Sequence, residues 1–376
     1  MHVLIPALHR PIKPTGVCRH AANLAHCLAD LDSVDRITLL IGQWQTTYFK
    51  QTFHFESPKV QIVSVDIKNG SLARNWWFMF GLPQLSKQLK PDIIHMSFPF
   101  PFVRQWFEAP IVATIHDLYP YECPENFGYP QVLFNQLFLR QCIRNSDGLS
   151  CVSKCTLETL DHYFTGVEKQ KQRKVIYNVV DFTDISPTKP EKLVENNAFP
   201  FLLTVAQHRR NKNLDLLIQA YGLLLDKREL KPDTKLLIVG GSGPETDNLT
   251  RLIQSLKLDE QVLFMSGIDD GELRWLYEHA KLFVIPSSTE GFCLPLVEAL
   301  TLNCPVVCSD IPIFREVGLL RCHYFDLGNN PVLNLSQTIL TSLTEQNRLS
   351  NYSELRFSKG NVAQSLIDFY DSVQTV

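Results

Sequence analysis

The chain has no run of 18 apolar residues, so no membrane span is expected. Its opening, Met1-His2-Val3-Leu4-Ile5-Pro6, lacks the basic region and long apolar stretch of a secretory leader and reads as a first strand. It has no large charge excess. With 36 basic and 39 acidic residues the net charge is −3, which gives no global electrostatic reason to bind nucleic acid. It has no evident internal repeat or low-complexity segment. Its ten cysteines are scattered, and the near pairs Cys151/Cys155 and Cys304/Cys308 lack His or Cys partners at zinc-site spacing. Several lie in apolar strand-like runs such as Val306-Val307-Cys308. Reduced, buried thiols in a cytosolic protein are therefore expected, rather than a disulfide framework or a metal site. No G-x-G-x-x-G fingerprint occurs, which counts against a nicotinamide dehydrogenase. The Asp-x-Asp triplet Asp30-Leu31-Asp32 falls at the end of the first predicted helix, not after a strand where carboxylates would clamp a metal on a diphosphate.

What is present describes a soluble globular protein: 45% hydrophobic and 20% charged residues in 376 positions, enough for two domains. Strand-like runs alternate with helix-like segments. The runs are Val3 to Ile5, Arg36 to Ile41, Val60 to Val65, Pro91 to His95, Pro110 to Ile115, Gly148 to Val152 and Lys174 to Tyr177. The first is followed by a predicted helix from Val17 to Leu31. Thr183 to Phe199 is polar, carries Pro187 and Pro190, and reads as a linker. A second series follows: Phe201 to Val205, Thr234 to Val239, Val262 to Met265, Lys281 to Ile285 and Pro305 to Cys308. Short β-rich runs separated by helices predict parallel sheets covered on both faces. The expected fold is α/β, two Rossmann-like domains facing a cleft. Ligands in such sheets sit beyond the carboxyl ends of the strands.

The most informative stretch is Glu290-Gly291-Phe292-Cys293-Leu294-Pro295-Leu296-Val297-Glu298. Two glutamates flank a turn between an apolar strand and a helix predicted over Leu296 to Leu302, with Pro295 at its first position. A helix start attracts anions, so carboxylates there ask for a reason. A ligand with both phosphate and vicinal hydroxyls supplies one: the amides of Gly291 to Leu294 take phosphate, and the carboxylates take hydroxyls. A solvent-exposed acid and a capping acid are the competing explanation. Thr15-Gly16-Val17 and Gly240-Gly241-Ser242-Gly243-Pro244 each follow a strand, where glycine lets backbone approach a phosphate; a simple turn is the alternative. His116-Asp117 follows a strand directly, as a sugar-contacting imidazole or as a structural pair. His208-Arg209-Arg210-Asn211-Lys212-Asn213 offers cations at a strand end, able to neutralise a departing diphosphate unless the run is merely solvated. Asn75-Trp76-Trp77-Phe78-Met79-Phe80 and Phe98-Pro99-Phe100-Pro101-Phe102 can touch an apolar acceptor or a membrane surface, with core packing the favoured alternative.

In order along nearly the whole chain, these motifs resemble the retaining glycosyltransferases of family four, with the two-domain GT-B fold. The resemblance rests on Gly16-Val17 with Arg19, Thr114 through Leu118, Val152-Ser153, Val175 through Asp181, Asn211 through Leu214, Gly240 through Pro244 and Glu290 through Glu298. It implies a cytosolic, metal-independent enzyme that moves a hexose from a nucleoside diphosphate sugar to an acceptor hydroxyl, in polysaccharide or glycan synthesis. No cofactor is implied beyond that donor substrate. His116, Lys212 and Glu290 would be catalytic: His116 near the reacting sugar, Lys212 on the diphosphate, Glu290 beside the donor sugar. Gly16, Arg209, Gly241, Ile268, Gly291, Phe292, Cys293, Leu294 and Glu298 would bind the donor, with Glu298 on the ribose hydroxyls. The acceptor would be a glycan or lipid-linked glycan, met by a domain spanning residues 1–182 and a returning C-terminal helix at about 360–376. Residues 183–359 would hold the donor. Peripheral contact with the inner face of a membrane is compatible with this, and nucleic acid is no partner. Two departures stand out. Ala206-Gln207 replaces the family's frequent Gly-Arg, for which Arg209 is the favoured substitute, and Asn178-Val179-Val180-Asp181 lacks the usual glycine. The competing readings are a GT-B sugar-nucleotide epimerase, which would consume donor without an acceptor, and a non-catalytic sugar-binding scaffold.

Overall fold

The computed structural model describes residues 1–9, 15–167, 171–194, 199–345 and 355–375. Positions 195–198 of the expected linker and Val376 of the expected final helix lie outside the described residues. The chain divides into two compact units, Met1–Val179 with Leu355–Val376, and Val180–Glu354.

Unit 1 is built on a seven-stranded sheet of β1 (His2–Pro6), β2 (Arg36–Gly42), β3 (Val60–Val65), β4 (Ile93–Met96), β5 (Ile111–Ile115), β6 (Gly148–Cys151) and β7 (Gln172–Val175). Its order is β3-β2-β1-β4-β5-β6-β7, and every pair is parallel. Alternate side chains of a strand point to opposite faces. Val3 and Ile5 accordingly enter one core and Leu4 the other. Both faces are covered, which is why the central strands are apolar at nearly every position. Helices Gly16–Ala29 and Lys359–Gln374 cover the first core, the latter through Val362, Leu366, Phe369, Tyr370 and Val373. The final helix approaches β6 so closely that a Cβ at Gly148 would lie 2.7 Å from Val373 and 2.9 Å from Phe369. The second core takes Phe78, Phe100, Phe102, Leu139 and Ile143. It is covered by the helical stretch from Ser71 to Leu89 and by helix Gln131–Asn145.

Unit 2 has six parallel strands: β8 (Phe201–Val205), β9 (Lys235–Val239), β10 (Val262–Met265), β11 (Leu282–Ile285), β12 (Val306–Ser309) and β13 (His323–Phe325). Their order is β10-β9-β8-β11-β12-β13. The short edge strand β13 is absent from the sequence reading; its three residues His-Tyr-Phe carry no apolar run to mark it. The polar segment read as a linker is fastened to unit 2. Thr188 donates to the Gly271 carbonyl at 3.0 Å, and the Arg274 guanidinium donates to the carbonyls of Phe182 and Ile185. Among the described residues no helix is long and apolar enough to cross a membrane.

Candidate active site

In each sheet the strand order reverses beside the first strand of its series, between β1 and β4 in unit 1 and between β8 and β11 in unit 2. Such switch points open a crevice at the carboxyl ends of the strands. Gly16, Lys212 and Glu290 follow strands that border these switch points (β1, β8 and β11), while His116, Gly241 and Ile268 follow β5, β9 and the edge strand β10.

In unit 2 the Asn211-Lys212-Asn213 triplet bridges the loop after β8 to the loop after β11. Asn211 donates to the Thr289 carbonyl at 3.1 Å, and Asn213 donates to the Pro286 carbonyl at 2.9 Å. The Ser288 amide donates back to the Asn211 carbonyl at 2.9 Å. Asn213 sits in the left-handed region (φ 46°), which asparagine tolerates better than most residues. These bonds place the Lys212 ammonium 2.5 Å from Glu290 Oε1. Glu290 is 7% exposed and Lys212 18%, so the pair is shielded from water. An ammonium offers three donors. One engages Glu290.

Past Glu290 the chain passes through Gly291 and Phe292, both buried, and turns at Cys293 with φ 67°. A non-glycine residue in that region is uncommon and marks a turn held by its surroundings. The Phe292 ring, 4% exposed, anchors it. The helix begins at Leu294 rather than Leu296, so Pro295 occupies its second position and the observed span is Leu294–Thr301. Burial and the neighbouring Glu290 carboxylate hold the Cys293 thiol well above its ordinary pKa, which leaves it protonated and unsuited to act as a nucleophile. One turn on, Glu298 accepts a hydrogen bond from the Tyr277 hydroxyl at 2.9 Å. Burial and Glu298 raise the Tyr277 pKa well above 10, so the phenol stays a donor. Nothing local in the sequence pairs these two residues, and the reading missed Tyr277.

The glycine loop after β9 seats the loop after β8. A Cβ at Gly240 would meet the Ala206 carbonyl oxygen at 2.0 Å, and one at Gly243 the His208 oxygen at 2.3 Å. Gly241, the residue expected at the donor, is exposed; a Cβ there would meet nothing within 4 Å, and its carbonyl accepts from the His208 amide at 3.3 Å. Of the basic run, His208 is buried, and its Nδ1 shares a 2.9 Å hydrogen bond with Thr246 Oγ1. Burial lowers its pKa, which makes it a structural imidazole rather than a cation. Arg209 is half-buried, and its Nε donates to Gln207 Oε1 at 2.8 Å. It thus reaches back over the position where the family's arginine is expected. Ile268 lies half-buried after β10, next to Gly267 with φ 76°. The loops after β10, β9, β8 and β11 are neighbours along one sheet edge.

In unit 1, Gly16 is exposed at the start of helix Gly16–Ala29, which Thr15 caps. His116 follows β5 and is half-buried. Its Nε2–H donates to the Ser97 carbonyl at 2.9 Å, and the Ser97 hydroxyl donates to the Pro6 carbonyl at 2.7 Å. Since a carbonyl only accepts, the neutral ring carries its proton on Nε2, leaving Nδ1 as an acceptor. Burial lowers the His116 pKa. Such a group suits a sugar hydroxyl.

Behind it runs a buried polar chain that sequence reasoning did not find. The His20 ring packs edge-on against His116 at 4.6 Å between centroids. His20 Nδ1–H donates to Asn178 Oδ1 at 2.7 Å. Thr114 Oγ1 lies 3.3 Å from His20 Nε2, 2.7 Å from His95 Nε2 and 2.9 Å from Ser150 Oγ. His95 Nδ1 meets the Tyr370 hydroxyl at 2.5 Å. Asn178 of the departed Asn-Val-Val-Asp turn thus supports His20. Burial depresses both imidazoles, His20 well below 6.5 and His95 to about 3. A histidine with a depressed folded pKa is protonated first in the unfolded chain. Stability therefore falls as pH drops below about 6.5 and keeps falling toward about 3. The urea midpoint at about pH 5 should lie below that at about pH 7.5. Equal midpoints would show that these rings accept protons in place.

The sequence matches known glycosyltransferases over most of its length. The family model described as Glycosyltransferase Family 4 matches residues 14–184, and that described as Glycosyl transferases group 1 matches residues 186–318. The chain belongs to this glycosyltransferase family, and its fold is GT-B. It is similar to the O-antigen chain mannosyltransferase RfbU of Salmonella typhimurium, at 25% identity over 81% of this chain and 80% of that protein. It is also similar to the O-antigen biosynthesis glycosyltransferase WclY of Escherichia coli, at 29% identity over 59% and 60% of the two chains. Among solved structures, Anabaena HepE in complex with UDP-glucose superposes with a TM-score of 0.67. It has 18% identity and covers 99% of this chain and 98% of its own.

Proposed function

We propose that this glycosyltransferase moves a hexose from a nucleoside diphosphate sugar to a hydroxyl of a growing glycan, with retention at the anomeric carbon. The observation that carries this is the ion pair of Lys212 and Glu290 at the switch point of unit 2, with Glu298 one turn into the helix that follows. Lys212 meets the leaving diphosphate, with Arg209 as a second cation. Glu290 lies by the donor sugar, Glu298 takes the ribose hydroxyls, and His116 offers Nδ1 to a sugar hydroxyl. No carboxylate is needed as a covalent nucleophile: the leaving phosphate assists deprotonation on the same face. The protein contributes position and charge stabilisation. RfbU and WclY are named for O-antigen synthesis. That supports a glycan or lipid-linked glycan acceptor. Ten free cysteines fit a reducing, cytoplasmic compartment.

The chemistry is proposed to be metal-independent, with Lys212 in the place a divalent ion would take. Asp30 of the Asp-x-Asp triplet is engaged elsewhere, 2.6 Å from Lys359. A melting-temperature screen across UDP, GDP, ADP and their sugars should show one nucleotide family that stabilises, because a ligand of the folded state shifts stability by mass action. Transfer from that donor should persist in EDTA. Activity lost in EDTA and regained with magnesium or manganese would overturn the metal-free mechanism. Conversion of the donor to an epimer without acceptor would replace transfer by epimerisation.

A further inference from the structure

The buried polar chain behind His116 lies between the unit 1 sheet and the two helices that cover its first core. His95, Thr114 and Ser150 come from the neighbouring strands β4, β5 and β6, His20 from helix Gly16–Ala29 and Tyr370 from helix Lys359–Gln374. All five side chains are buried, and burial keeps both imidazoles neutral. Their protons then have one arrangement. Asn178 Oδ1 only accepts, so His20 carries its proton on Nδ1 and accepts on Nε2. The Thr114 hydroxyl spends its single proton on that Nε2. The other two contacts of Thr114 Oγ1 are therefore donors to it, His95 Nε2–H at 2.7 Å and the Ser150 hydroxyl at 2.9 Å. His95, protonated on Nε2, accepts on Nδ1 from the Tyr370 hydroxyl at 2.5 Å.

Every bond thus runs one way, from Tyr370 through His95, Thr114 and His20 to Asn178. The last acceptor is a carbonyl with no proton to return, so the direction is pinned. Both nitrogens of His20 are engaged, and neither is left to meet His116. The chain therefore orients and does not relay protons. His116 takes its own tautomer from the Ser97 carbonyl, and its ring packs edge-on against His20 at 4.6 Å between centroids. A His20 ring free to rotate or to change tautomer would release that contact. We propose that His20 is a positioning residue for His116, and that the Tyr370–His95–Thr114 chain holds His20 in one tautomer so that His116 Nδ1 keeps its aim. This rests on the assignment of His116 to a sugar hydroxyl. The returning C-terminal helix thereby acts on the site through the Tyr370 hydroxyl, as well as through the apolar side chains it buries.

The test is the ring-nitrogen NMR spectrum of the full chain carrying isotope-labelled histidine, which reads the tautomer of each imidazole. His20 should be protonated on Nδ1, and His95 and His116 on Nε2. Thr114→Val leaves His20 Nε2 without its donor and His95 Nε2–H without its acceptor. Tyr370→Phe lets His95 change tautomer and turns the Thr114 proton away from His20. Both should shift the His20 and His116 signals. Ser150→Ala removes a side donor and leaves the direction of the chain intact, so it should not. Turnover is read as nucleoside diphosphate release from whichever sugar of UDP, GDP or ADP raises the melting temperature most. It should fall by about tenfold or more in Thr114→Val and Tyr370→Phe, and stay within about twofold in Ser150→Ala, since a misplaced group near the reaction costs up to about 10². Thr114→Ser should restore it. A purely structural role predicts losses that follow melting temperature and include Ser150→Ala. On a His116→Ala background, Thr114→Val should cost nothing further. Losses that multiply there, or His116 signals unmoved by Thr114→Val and Tyr370→Phe, would overturn the positioning role and leave the assignment of His116 standing. His116→Ala at parent turnover would overturn that assignment and the proposal with it.

Discussion

Lys212→Ala should reduce turnover by about 10²–10³, the loss seen when one donor to a developing anion is removed. The substitution takes a shielded cation from the switch point of unit 2 and removes the Lys212 ammonium from Glu290, which is 7% exposed. A shielded carboxylate that loses its counter-charge is itself unfavourable, so part of any loss of stability belongs to Glu290 rather than to the reaction. Lys212→Ala/Glu290→Gln separates the two: stability should recover in the double variant while turnover stays low. A loss under about threefold would assign the diphosphate to another cation. Arg209 would then be the first to test, since its guanidinium already bonds Gln207 across the loop.

Glu298→Ala should act on binding. Nucleoside diphosphate affinity should fall by about 1–3 kcal/mol, the range for losing a charged hydrogen-bond partner. Calorimetry on the folded variant measures it. Tyr277→Phe is the companion experiment, because the Tyr277 hydroxyl holds Glu298 at 2.9 Å. It should weaken affinity less, since the carboxylate keeps its charge and loses only its orientation. Unchanged affinity in Glu298→Ala would remove this residue from the ribose. A larger loss in Tyr277→Phe than in Glu298→Ala would mean that the phenol supports the fold of the turn rather than the ligand.

Much of this architecture is legible in the chain. β8 and β10 begin and end where the apolar runs do, because a parallel strand packed on both faces is apolar at most positions, and edge strand β3 (Val-Gln-Ile-Val-Ser-Val) is marked by its β-branched residues although Gln61 and Ser64 are exposed. Helix Leu214–Asp226 is marked by its own periodicity and by the polar triplet before it. The reading failed where the signal was short or distributed. The edge strand β13 has only three residues, too few to show a period. The start of helix Leu294–Thr301 was displaced because the left-handed turn at Cys293 is a conformation its residue type does not announce. The aromatic segment at Asn75 to Phe80 was divided between core and surface by a π-helical turn at Trp77–Gly81, which composition cannot foresee.

By itself the sequence determined the alternation of strands and helices, the class of fold and the loops that carry the candidate chemistry. Each depends on patterns a few residues long: periodicity, a proline at a helix start, a glycine after a strand. The tertiary structure alone decided the pairings. Lys212 meets Glu290 across 78 positions, and Tyr277 meets Glu298 across 21. His20 reaches Asn178 across 158, and His95 reaches Tyr370 across 275. A hydrogen bond or ion pair is made by side chains about 3 Å apart in space, whatever their separation in the chain. Parallel sheet order is what brings such distant loops to one edge, and no local run of residues encodes that order.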